Sequence, residues 1–300
     1  MNGKEQMSIE FRNNCKILNF GADYHKIRSF LVKLDYPTYH FGRWDWMVTH
    51  SNLDKMGIPK IGVWEDDNNI VALATYDMRL GETFFCVYDE YVHLKKEMAE
   101  YASDSFRKDG KHVIIIENND SYFQNIASDL GFIATESTES TAAYPIDLTA
   151  IKYKLPEGFN ITSMKETYDL FQYGQVLWRG FDHETRGEGI FKLENAINSE
   201  IDFKRPNVNL DLKIAAVAPN GDFVSYCGRW YDEISQSALV EPVATDPNFR
   251  KMGLGKAVVL EAVKRCGVLG AKTAYVGSTQ QFYYTIGFRP YSTATRWVRK

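Results

Sequence analysis

Apolar residues in this chain gather into short runs separated by polar turns, and the runs come in two similar series. Lys60-Ile61-Gly62-Val63-Trp64 reads as a strand, Glu65-Asp66-Asp67-Asn68-Asn69 as its turn, and Ile70 to Tyr76 as the returning strand. A second hairpin follows the same plan, with Lys213 to Ala218, a Pro219-Asn220-Gly221-Asp222 turn, and Phe223 to Tyr231. After each hairpin the pattern predicts another strand, a helix, a β-branched strand, a short helix and a closing strand. The β-branched strands are Val113 to Ile116 and Thr273 to Val276. The short helices end in Leu130-Gly131-Phe132 and Ile286-Gly287-Phe288, where glycine supplies the left-handed stop that a helix end favours. Earlier helices are predicted at Tyr24 to Leu34 and Glu166 to Trp178. In the latter, Tyr168, Phe171, Gln175 and Trp178 recur at helical spacing and are expected to face the core, although Trp178 is also placed to wall a substrate cavity.

The repeated order of elements predicts two tandem domains of one α/β plan, each a mixed sheet flanked by helices. Proline and glycine meet at Lys154-Leu155-Pro156-Glu157-Gly158, which sets the expected domains at 1–153 and 159–300. Trp44, Trp46 and His50 form an aromatic, polar group on an N-terminal helix and are read first as core.

Composition narrows the class. Hydrophobic residues make up 44% and charged residues 25% of 300 residues, the balance of a soluble globular protein. No apolar run approaches the roughly 20 residues that cross a bilayer, and the polar start Met1-Asn2-Gly3-Lys4-Glu5 leads into no signal-peptide core, so a cytoplasmic protein without a membrane partner is expected. Four scattered cysteines and six histidines show no metal-type spacing, so no metal site is expected. The net charge of −4 hides an asymmetry: the last 51 residues, from Arg250, hold ten basic residues and one acid, Glu261. A basic end on an acidic chain suggests a compact anionic ligand and disfavours nucleic acid, which the acidic half would repel.

The chemistry gathers in Leu239-Val240-Glu241-Pro242-Val243-Ala244-Thr245-Asp246-Pro247-Asn248-Phe249-Arg250-Lys251-Met252-Gly253-Leu254-Gly255-Lys256. An extended run meets a turn, then a basic glycine-rich loop, then a helix over Ala257 to Cys266. Free N–H groups and partial positive charge at a helix start favour phosphate, and Gly253 and Gly255 let it approach the backbone. GxxxxGK[ST] is absent, as is a Rossmann fingerprint. Pro242 lacks an N–H and breaks a regular ladder, which favours a bulge.

Arg250-Lys251-Met252-Gly253-Leu254-Gly255 resembles the R/Q-x-x-G-x-G/A acyl-CoA signature of the GNAT acyltransferase superfamily. Glu241 to Pro247 looks like that family's fourth strand, and Phe282-Tyr283-Tyr284-Thr285-Ile286-Gly287-Phe288 like its late Y-x-x-x-G-F segment. The resemblance covers residues 160–300 well and the N-terminal half in outline only. It implies two tandem GNAT-like domains with the N-terminal one degenerate. There the loop counterpart, Tyr88-Asp89-Glu90-Tyr91-Val92-His93-Leu94-Lys95-Lys96-Glu97, has no glycine and carries acids, so a structural role or a share in the acceptor pocket is expected of it.

The resemblance further implies acetyl-CoA as cosubstrate. Val243, Ala244 and Thr245 would lie along pantetheine, with the Val243 N–H on the thioester oxygen, and Arg250, Lys251, Met252, Gly253, Leu254, Gly255 and Lys256 would hold the pyrophosphate. Tyr283 aligns with the tyrosine that protonates the departing thiolate. Glu241 is the candidate general base, since an amine acceptor must lose a proton and a partly dry carboxylate can titrate in the working range. Trp178, Asp182 and His183 are candidates for acceptor binding. The expected protein is a monomer or homodimer that acetylates a small-molecule amine by direct attack. The alternative is a catalytically silent acyl-CoA-binding sensor or scaffold.

Overall fold

A computed structural model describes residues 9–48, 50 and 52–300. In chain order these residues form β1 (Glu10–Arg12), α1 (Ala22–Leu34), α2 (Phe41–Met47), β2 (Gly62–Asp66), β3 (Asn69–Thr75), β4 (Glu82–Val87), α3 (Lys95–Ser105), β5 (His112–Glu117), α4 (Ser121–Asp129), β6 (Ile133–Pro145), β7 (Asn160–Ser163), α5 (Leu170–Gly180), α6 (Leu193–Asn198), β8 (Ile214–Val217), β9 (Phe223–Asp232), β10 (Ser237–Thr245), α7 (Leu254–Val268), β11 (Thr273–Val276), α8 (Gln281–Thr285) and β12 (Arg289–Arg299). Both predicted hairpins are present, β2–β3 and β8–β9. The first turns through Asp67 and Asn68, both at positive φ, as a tight hairpin with the right-handed twist of its strands requires.

The chain divides into two compact units. The first holds the described residues up to Thr141 together with Tyr291–Lys300. Its sheet runs β1-β2-β3-β4-β5-β12, antiparallel except for the β4/β5 pair. The second holds Ala142–Pro290, with its sheet running from the end of β6 through β11, β10, β9 and β8 to β7, antiparallel except for β10/β11. These bounds differ from the 1–153 and 159–300 division at both ends. The last strand supplies β5 with its antiparallel partner, from Ala294↔Glu117 to Arg299↔His112, and so joins the first unit. The end of β6 does the same for β11, from Thr273↔Pro145 to Val276↔Ala142. The Lys154–Gly158 stretch is irregular, as read, but the neighbouring Ile151, Tyr153, Leu155 and Phe159 pack on the core of the second unit.

In the second unit, α7 lays Val258, Val259 and Val263 on one face of the sheet against Ile214, Val224 and Val240. Each such side chain contributes roughly 1.5–3 kcal/mol when fully buried. On the other face α5 packs Tyr173 and Val176 against Phe223 and Tyr226. This corrects the expected core stripe: Tyr168 is exposed and Phe171, Gln175 and Trp178 are only half-buried. Those residues lie on the outer side of α5, where Phe171 meets Phe191 and Trp178 stacks on His183. The helix also begins at Leu170 rather than Glu166. Ser163 and Glu166 exchange hydrogen bonds in a box that mimics a helix start, but the Asp169 carboxylate accepts from Gln172 N–H at 2.9 Å and caps the actual first turn. In the first unit Trp44 is fully buried, with its indole N–H donated to Tyr24 O, as the core reading expected, whereas Trp46 and His50 are half-buried, with ring centroids 4.4 Å apart.

Candidate functional site

The site in the second unit starts from a break in strand pairing. β10 pairs with β11 only over Ser237–Leu239, and the two strands then part. On its other edge β10 follows β9, with a register shift between Val240 and Val243. Two residues, Glu241 and Pro242, there oppose Gly228 alone, which is the bulge that the missing proline N–H favoured. The Glu241–Pro242 peptide is cis. A Cβ on Gly228 would lie 2.6 Å from Glu241 O, so the bulge needs glycine opposite it.

Beyond the bulge the antiparallel alternation decides where the backbone points. Asp246 N–H donates to Val224 O at 3.0 Å, so the pairs Asp246/Val224 and Ala244/Tyr226 are of the hydrogen-bonded kind. Val243/Cys227 and Thr245/Ser225 are then the intervening pairs, and the N–H and C=O groups of Val243 and Thr245 turn toward the parted edge. Arg250 Nε donates to Thr245 O at 3.2 Å, which leaves the Val243 groups and the Thr245 N–H on that edge without a strand partner among the described residues.

The loop after β10 is shaped by its own side chains. Asp246, buried, accepts from Asn248 N–H at 2.9 Å and faces Arg179 at 3.6 Å. Lys251 has φ 65° and Gly253 φ 83°, so the chain makes two left-handed steps before α7 starts at Leu254. No side chain caps Gly253. The first-turn N–H groups of Leu254, Gly255 and Lys256 have no intrahelical acceptor, and they carry the positive end of the helix dipole. Lys251 and Lys256 are exposed and make no ion pair among the described residues, whereas Arg250 spends its guanidinium on Gly180 O and Asp182, each at 2.9 Å.

These pieces line a cavity of about 850 Å³. Val243, Ala244, Thr245, Arg250, Lys251, Gly253, Leu254, Gly255 and Lys256 all reach it, as do Tyr283 and Asp182. Met252, Glu241, Trp178 and His183 do not line it. Met252 is exposed on the loop. His183 is held against Trp178, with ring centroids 4.2 Å apart, and its Nδ1 lies 2.8 Å from Glu188. Glu241 sits at the bulge, yet its charge reaches the Tyr283 phenol.

Tyr283 is buried on the short α8, between Phe282 and Phe288. Burial first, then the nearby Cys227 and Glu241, hold its pKa well above the usual tyrosine value, so it keeps its proton at neutral pH. Cys227 and Cys266 are fully buried and pushed up to about 11 by desolvation, which makes both thiols poor nucleophiles. No group of metal-binding side chains occurs among the described residues.

Sequence reasoning missed other lining residues, Gly180 and Phe181 at the end of α5 together with Phe249, Gln280 and Phe282. Gly180 belongs to no motif, but a Cβ there would fall 2.6 Å from Ala244 Cβ and 2.9 Å from Thr245 N. A glycine two residues past the last position of the helical stripe is the one signal that pointed to it.

No family model matches this chain, and no curated protein matches it in sequence. Solved structures do. A GCN5-related N-acetyltransferase from Sphaerobacter thermophilus aligns at TM-score 0.57 and 11% identity, over 97% of this chain and 95% of that one. A tandem GNAT protein from the clavulanic acid biosynthesis pathway aligns at TM-score 0.56 and 12% identity, over 97% and 98%. A GNAT-family acetyltransferase from Colwellia psychrerythraea aligns at TM-score 0.60 and 11% identity, over 97% and 100%.

Proposed function

Because the chain has the fold of the GNAT acetyltransferases over nearly its whole length, we propose that it moves an acetyl group from acetyl-CoA to the amine of a small molecule. The observation that carries this reading is the pairing of a parted strand edge with a free helix start in one cavity. Val243 and Thr245 offer backbone groups along the edge, as the amides of pantetheine need, and Leu254, Gly255, Lys256 and Lys251 offer donors and charge where a pyrophosphate would follow.

In the proposed reaction the deprotonated amine nitrogen attacks the thioester carbon. The Val243 N–H stabilises the oxyanion of the tetrahedral intermediate. Collapse breaks the carbon–sulfur bond, and the Tyr283 hydroxyl gives its proton to the departing sulfur. Glu241 receives the amine proton through water, since it stands outside the cavity wall. Asp182, paired with Arg250, borders the cavity and accepts a hydrogen bond from the acceptor, while Trp178 and His183 act behind it by holding the 181–189 segment. Met252 serves the loop through its backbone. The N-terminal unit does not bind CoA in this reading, because its loop counterpart is a 3-10 turn, Asp89–Leu94, that presents acids.

Titration with acetyl-CoA tests the site. Saturable binding is expected for the full chain, and Gly253→Val or Gly255→Val should raise Kd at least ~10-fold, about 1.4 kcal/mol. The first substitution strains a left-handed residue, and the second puts a side chain 3.2 Å from Thr245 Oγ1. Equal affinity in all three proteins would end the proposal. Binding without amine-dependent thiol release across an acceptor panel would leave the sensor or scaffold reading in its place.

A further inference from the structure

The first unit has its own parted strand pair. β4 and β5 pair only at Glu82↔Val113 and Thr83↔Ile114, then separate. Tyr88 N–H donates to Val71 O at 3.1 Å, and alternation along β3/β4 therefore turns the backbone groups of Phe85 and Val87 toward the gap. A cavity of about 620 Å³ opens there, wholly within residues 33–123. Its floor is apolar, with Phe85 and Phe123 edge to face at 5.0 Å beside Ile115.

The charge around this cavity is of the wrong sign for phosphate. Lys95 is neutralised by Asp120 at 2.5 Å. Lys33 and Asp35 also border the cavity, and Asp89, Glu90 and Glu117 leave the lining net negative; none of these three makes an ion pair among the described residues. Glu117 is the telling one. It is half-buried in the cavity wall, and the groups that favour its carboxylate charge, Thr38, Tyr36 and Ser292, are neutral hydroxyls. Burial raises its pKa, and a cation placed beside it would favour its charged form.

We propose that this cleft is a second binding site, for a small organic cation: a primary ammonium on an apolar or aromatic body. The ammonium would sit against Glu117 and the Asp89–Glu90 rim, the body over the Phe85–Phe123 pair beside Ile115, and the free edge of β4 would accept its remaining N–H. This site is independent of acetyl-CoA binding in the other unit.

Calorimetric titration of the full chain with phenethylammonium tests the assignment, with phenylacetate and acetyl-CoA as separate probes. Saturable phenethylammonium binding is expected, lost at least ~10-fold in Glu117→Gln and in the paired rim variant Asp89→Asn/Glu90→Gln, with acetyl-CoA affinity unchanged in both. The rim residues lie at the surface, so their variant keeps the test open should Glu117→Gln fail to fold. Absence of phenethylammonium heat at millimolar concentration, equal binding of phenylacetate, or an affinity that both variants leave unchanged would overturn the proposal. An amine held only as acceptor in the second unit would give that last result.

Discussion

Tyr283 shows how one side chain acquires a role from its surroundings. The ring packs between Phe282 and Phe288, and desolvation holds the phenol neutral at the cavity wall. Tyr283→Phe keeps that packing and removes only the proton. We expect kcat for amine-dependent thiol release to fall about 100-fold or more, with acetyl-CoA affinity within about twofold of the parent. A variant with parental kcat would remove Tyr283 from the mechanism. Arg250 teaches the reverse lesson. Its place in the motif suggested a main-chain donor to pyrophosphate, and its guanidinium meanwhile ties Gly180 and Asp182 to the end of β10. Charge at a motif position does not say where a flexible side chain will spend its donors.

At the scale of elements, the bulge in β10 and the parting from β11 make the site. A regular strand would continue the ladder and close the cavity. Gly228 is the element's hidden requirement, since a Cβ there would meet Glu241 O at 2.6 Å and Pro242 Cδ at 3.0 Å. Gly228→Ala must push the bulge outward, and we expect a loss of about 1–3 kcal/mol in unfolding free energy together with weaker acetyl-CoA binding. Urea unfolding and titration read the two effects. An alanine variant of parental stability would show that the bulge yields freely. The helix α5 illustrates a local signal that misled: two cap-like boxes lie six residues apart, at Ser163 and Asp169, and only packing of Tyr173 and Val176 on the sheet chooses the second.

At the scale of the molecule, each unit has its own buried ionisable groups. His40 and His112, both in the first unit, are buried, and desolvation lowers their pKa to about 3 and about 4, with Arg28 acting on the former and Arg299 and Arg107 on the latter. The unfolded chain binds these protons near pH 6.5, whereas the folded unit resists them. Their contribution to stability is therefore complete above pH 6.5 and declines as pH falls toward 4, by up to about 1.4 kcal/mol per pH unit for each histidine. Unfolding free energies of the parent and of His112→Gln between pH 6.5 and 4.5 should show a shallower decline in the variant; parallel declines would contradict this. No helix among the described residues is long and apolar enough to cross a membrane.

Local chemistry by itself determined the repeated series of elements in the two units, though not β1, β7, α6 or the start of α5. The hairpins, the β-branched strands and the glycine-ended short helices follow from short-range sterics and periodicity, and the 250–256 loop follows from glycine and charge at a helix start. Tertiary structure alone decided the rest. Which face of α5 is buried, which strand completes each sheet, and that Gly180 walls the cavity all depend on residues distant in sequence. Strand partners are selected by open backbone edges, and an edge exists only once the sheet has formed.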